Sequence, residues 1–98
     1  MKTRYFAFTL AAALAAALPA AAATSKIPTA LLAQAAVSPT QARAAALRTV
    51  HGVIQSEELE KESGGSGLRY TFDIKTPKGV REVGVDAKTG KVLENTHD

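Results

Sequence analysis

The hydrophobic pattern of the chain changes period twice, and each change marks a new kind of element. Phe6 to Leu18 is an uncharged Ala/Leu-rich run with no charged face. From Ser38 the apolar positions fall at helical spacing: Ala42, Ala46 and Val50 recur every four residues, with Ala45 and Thr49 beside them. That spacing predicts one helix with a face of small side chains, suited to lying close on a sheet. From Val53 the period is two. Leu68, Tyr70, Phe72 and Ile74 alternate with Arg69, Thr71, Asp73 and Lys75, which predicts a strand with one buried and one wet face. Val53–Lys61 reads as the strand before it. Ile54 and Leu59 have opposite parity, so a bulge or a change of face is expected between them. Val83, Val85 and Ala87 form a third alternating set, and Lys91-Val92-Leu93-Glu94 a short final strand.

The punctuation agrees with these elements. Ser38-Pro39-Thr40-Gln41 has the form of a capping box with proline at the first helical position. Gly52 stands at a plausible C′ position, where a positive φ costs glycine little. Ser63–Gly67 and Thr76–Gly79 are turn sequences. Asp86 and Thr89 flank another, with Gly90 at its positive-φ position. The expected fold class is α+β: one main helix packed on a three- to four-stranded antiparallel sheet, spanning residues 38–95. Residues 24–37 are expected to be a linker with a short helix over Ala30–Val37 capped by Thr29, and residues 96–98 a frayed end.

The first segment reads as an address. Lys2 and Arg4 precede the 13-residue apolar run, Pro19 breaks it, and Ala20–Ala23 offer small side chains at alternate positions. This is the pattern of a signal peptide over residues 1–23, with cleavage after Ala22 or Ala23. Thirteen helical residues reach about 20 Å, short of the roughly 30 Å hydrocarbon core, so no stable membrane span is expected after cleavage. The expected location is periplasmic or secreted.

Charge changes meaning once that segment is set apart. The 98 residues hold 12 Lys and Arg against 9 Asp and Glu, a net +3. Removing residues 1–23 takes away Lys2 and Arg4 and leaves ten basic against nine acidic residues, a net +1. No basic stripe is left to follow a phosphate backbone, and nucleic acid is not an expected partner. The absence of cysteine excludes a disulfide scaffold and a Cys-ligated metal.

No catalytic set emerges. Glu57, Glu58, Glu60 and Glu62 are the densest acidic run, but as a wet strand face their better explanation is pairing with Arg69, Lys75 or Arg81. His51 ends the helix, His97 lies near the C-terminus, and no H-E-x-x-H spacing joins them. The serines sit in caps and turns, no G-x-S-x-G elbow occurs, and no glycine loop opens a helix. The expectation is a non-enzymatic protein with no cofactor and no metal.

One resemblance covers nearly the whole folded part. Ala42, Ala46, Val50 and Gly52 lead into Leu59; Tyr70, Phe72 and Ile74 follow; and the chain closes on Val85-Asp86-Ala87-Lys88-Thr89-Gly90-Lys91-Val92-Leu93. Over about residues 38–94 this resembles the PepSY domain family. The resemblance implies an export-compartment module of one helix on an antiparallel sheet. Such modules occur in propeptides of thermolysin-type metallopeptidases, where they help keep the enzyme inactive, and in small exported proteins of bacteria. The function it implies is binding of a protein partner, an extracytoplasmic peptidase being the leading candidate, with inhibition or modulation as the outcome. Exposed strand edges and the apolar arm Ile27–Val37 are the surfaces expected to serve it. The alternative is an accessory ligand- or metal-sensing module of the cell envelope.

Overall fold

The computed structural model describes residues 23–98. The expected signal segment, with Ala22, lies outside the described residues, and Ala23 is their first. Strand β1 (Thr24–Lys26) is followed by helices α1 (Thr29–Leu32) and α2 (Pro39–Thr49). Strands β2 (Val53–Lys61), β3 (Leu68–Thr76), β4 (Gly79–Asp86) and β5 (Val92–His97) complete the chain. The five strands form one mixed sheet in the order β1-β2-β3-β4-β5. The last four are an antiparallel meander, and β1 pairs in parallel with β2, Thr24 opposite Ser56 and Lys26 opposite Glu58. The α+β class stands, while the architecture of one helix on three or four antiparallel strands is corrected to a five-stranded mixed sheet with two helices. Parallel pairing requires a crossover, and the segment containing α1 and α2 supplies it.

Helix α2 begins as its sequence dictates. Ser38 Oγ accepts from the Gln41 amide at 3.1 Å while Gln41 Oε1 accepts from the Ser38 amide at 2.9 Å, and Pro39 occupies the first turn. Ala42, Ala45 and Ala46 turn inward, and their small side chains let the helix lie on β3 and β4. The sheet answers with Leu59, Tyr70, Phe72, Ile74, Val83 and Val85, all buried, together with Leu68, Val50 and Ala87. Val92 is half-buried and packs against this core. Each large side chain buried there contributes about 1.5–3 kcal/mol, and Tyr70 stacks on Phe72 with ring centroids 6.2 Å apart. The parity conflict in β2 resolves as a register shift between Ile54 and Ser56, opposite Ile74 and Asp73.

Several local expectations change. Helix α1 starts at Thr29, with Pro28 as its N-cap and no side-chain cap, and ends at Leu32 instead of running to Val37. The reason is tertiary: the amides of Ala36 and Val37 both donate to the Ala87 carbonyl at 2.9 Å, so they are not free to continue a helix. At the other end β5 runs to His97, with Thr96 opposite Glu82 and His97 opposite Arg81. The Asp98 amide donates to the Val80 carbonyl at 3.0 Å, so the frayed end expected at 96–98 is part of the sheet margin.

Gly52 has a different role from the expected one. It is not among the positive-φ glycines, and a Cβ there would collide with the Lys75 carbonyl and the Ile74 side chain. The glycine lets the chain leave α2 in contact with the backbone of β3. Gly52→Ala is therefore expected to lower stability by about 1–3 kcal/mol. Urea unfolding should show a lower midpoint at an unchanged slope; an unaltered midpoint would contradict the close-approach account.

Candidate functional site

Two polar assemblies shape the surface around the core. The first is built on Asp86, at the end of β4. Its carboxylate is almost fully buried, only 2% exposed, yet every donor around it converges. Oδ2 accepts from the Ser66 amide at 2.7 Å and Oδ1 from the Ser66 hydroxyl at 2.8 Å, both from the β2–β3 loop. Oδ1 also accepts from the amides of Lys88 and Thr89 at 2.8 and 3.2 Å, in the turn before β5. Gly65 packs against the carboxylate and Leu93. Burial pushes the Asp86 carboxyl upward, but these hydrogen bonds outweigh it and hold it at about 2. Gly90 closes the turn at φ 81°, its amide donating to the Asp86 carbonyl. The next residue, Ala87, donates to Leu68 and accepts from Ala36 and Val37. The Tyr70 hydroxyl donates to the Val37 carbonyl at 2.6 Å, and burial raises its pKa above the ordinary tyrosine value. The arm that leads into α2 is thus fastened to the middle of the sheet.

The second assembly lies on the helix side of β2. Arg43, on α2, grips Glu57 with Nε to Oε1 at 2.7 Å and Nη2 to Oε2 at 3.2 Å. Those hydrogen bonds hold the Glu57 carboxyl below its usual range against the opposing effect of burial, and the Ser25 hydroxyl on β1 adds a third at 3.1 Å. Beside this pair a groove of about 570 Å³ opens between α2 and β2, lined by Leu47, Gly52, Val53, Ile54 and Ala23. Val53 at its edge is 53% exposed, one of two large apolar residues exposed among the described ones.

The acidic run therefore divides. Glu57 faces inward to Arg43, whereas Glu58 and Glu60 lie half-buried on the opposite face of β2. Burial, then Glu58 and Glu62, raise the Glu60 carboxyl. The expected pairing with Arg69, Lys75 or Arg81 is not what forms: Arg69 reaches Glu94 at 3.4 Å and the Ser63 carbonyl at 2.9 Å, and Arg81 bonds Asn95 and His97. Burial and then Glu94, Asp73 and Asp98 raise the Glu82 carboxyl. His51 is exposed beyond α2, far in sequence from the His97–Arg81 contact.

What the described residues present is thus an α+β module with strand edges and an apolar groove, in which the expected motif residues Ala42, Ala46, Val50, Leu59, Tyr70, Phe72, Ile74 and Val85 are core. No helix among them is long and apolar enough to cross a membrane. A family model described as the peptidase propeptide and YPEB domain matches residues 36–96, and the chain belongs to this PepSY family. Comparison with curated proteins and with solved structures gives no significant match. The matched segment starts where the arm docks on Ala87 and ends within β5; β1 and α1 lie outside it.

The Asp86 account gives a pH signature. Its folded value of about 2 lies below the ordinary carboxyl value, so its stabilisation is complete above about pH 4 and is lost as pH falls through 2. The amount is about 2 kcal/mol. Asp86→Asn, which turns an amide NH₂ toward N–H donors, is expected to remove this acid limb and cost about 2–3 kcal/mol at pH 7. Chemical denaturation at several pH values checks both. For the second assembly, a double-mutant cycle of Arg43→Met and Glu57→Gln should give a coupling of about 1 kcal/mol. Additive single effects would show that the pair contributes nothing.

Proposed function

We propose that the protein is an extracytoplasmic, non-enzymatic module that binds a protein partner and restrains a peptidase, a reading supported by a family description that names peptidase propeptides. The observation that carries this reading is the family match over residues 36–96, which takes in α2 and all of the antiparallel meander but its last residue. The surface chemistry supports it. The sheet offers main-chain donors and acceptors at its margins, and an added strand gains affinity from main-chain bonds while neighbouring pockets select side chains. The N-terminal signal pattern, with Ala22 and Ala23 as cleavage positions, supports the location.

The sensing alternative has less support. Asp73, Glu82 and Asp98 do offer carboxylate oxygens within 4.8 Å of one another, but three ligands fall short of the six to eight oxygens that Ca²⁺ takes. The two readings separate experimentally. Purified protein added to thermolysin-type peptidases should lower the hydrolysis rate saturably, and calorimetry with Ca²⁺ and Zn²⁺ should give flat heats. Unchanged rates at saturating protein would remove the inhibitor reading, and a saturable metal heat would favour the alternative.

A further inference from the structure

The family segment by itself would leave β2 as the margin of a four-stranded sheet, because the match begins at residue 36. In this chain that margin is covered by three residues from outside the segment. Thr24, Ser25 and Lys26 lie opposite Ser56, Glu57 and Glu58, all three exposed, and the nine-residue β2 extends past them at both ends. Beyond its main-chain pairing with β2 and the packing of the following Ile27 on the core, β1 makes two side-chain hydrogen bonds among the described residues: the Ser25 hydroxyl to Glu57, and a longer one of 3.5 Å from the Thr24 hydroxyl to the Gln55 carbonyl. At Ala23, the residue before β1, the groove over Leu47, Val53 and Ile54 opens.

We propose that the outer edge of β2, with this groove, is a binding site for an extended segment of a partner protein, and that residues 24–26 occupy it in cis. The proposal rests on the protein-binding reading above and names its site. The seated strand defines the chemistry the site takes: parallel pairing, a small hydroxyl residue over Glu57, then a cation opposite Glu58. Arg43 holds Glu57 ionised and aimed at that hydroxyl. An incoming segment longer than β1 pairs with more of β2 and places an apolar side chain against Val53 and Leu47. Three exposed residues with two side-chain bonds belong to the low-stability end of the fold, where exchange is easiest. Intramolecular occupancy raises the effective concentration of the cis strand into the millimolar range, so a partner must outcompete it.

The probe is a fluorescein-labelled peptide of residues 23–30, titrated by anisotropy into the full chain. The wild-type chain should bind it weakly. Lys26→Glu, which sets the cis strand against Glu58, should bind it at least about tenfold more tightly. Ser25→Pro, which removes a backbone donor from β1, gives the same result by a second route, and circular dichroism verifies that both variants keep the fold. The same peptide carrying Ser25→Val and Lys26→Glu should lose at least about tenfold in affinity. Equal affinity for both peptides, or no binding to any chain, overturns the proposal. A concentration-dependent dimer by light scattering that the peptide does not dissociate would assign the edge to a second copy and overturn it as well. The titration uses no peptidase, so its failure and a failure of peptidase inhibition are read separately.

Discussion

A buried carboxylate cannot be left short of donors, and the way Asp86 meets that demand organises this molecule. Its two oxygens gather the β2–β3 loop through Ser66 and the β4–β5 turn through Lys88 and Thr89. The two loops are far apart in sequence; the β3–β4 register, with Arg69 opposite Asp86, brings them side by side, and the carboxylate ties them together. Each unmade bond to such a buried ion costs more than a made bond contributes, so the carboxylate fixes the loops more firmly than apolar packing would. The adjacent carbonyl of Ala87 then captures two successive amides of the arm, and Tyr70 captures the carbonyl after them. Ala87 and Tyr70 therefore anchor the arm just before α2, whose own capping box sets its first residue.

The position of α2 decides what the edge of the sheet becomes. With the helix fastened over β3 and β4, Arg43 projects toward β2 and turns Glu57 from a surface carboxylate into a buried, oriented acceptor. The space left beside it, between Leu47 and Val53, is the groove. The proposed protein-binding role follows from this geometry and from membership of the PepSY family. A module of this size has little core to spare, as small domains bury a smaller fraction of their surface, and presenting an edge costs it less than building a deep pocket.

Much of the fold was legible because it repeats locally. The Ala42–Ala46–Val50 face, the Ser38 capping box, the Leu68–Ile74 alternation and the bulge after Ile54 are each written within a few residues, and each stands in the structure. The core positions of the family motif could be read in the same way. The candidate surface was less legible. Thr24-Ser25-Lys26 has no apolar alternation, so nothing in it signals a strand; it is one only because β2 offers an edge. Arg43 and Glu57 stand 14 residues apart on different elements, and the acidic run around Glu57 hides which of its members faces inward. The one hint was parity, since strand alternation puts Glu57 on the side of Leu59.

The sequence by itself determined the main helix, the four strands of the meander, their order and the residues that face the core, because helix and strand periods are local properties of a chain. It also determined that Asp86 would stand at a turn. Only the tertiary structure decided that Asp86 is buried at the junction of two loops, that Gly52 is there to let backbones touch, and that residues 24–26 become a fifth strand. The physical reason is common to all three: each depends on a donor, a carbonyl or an edge supplied by a distant part of the chain, and that juxtaposition does not exist until the helix has closed over the sheet.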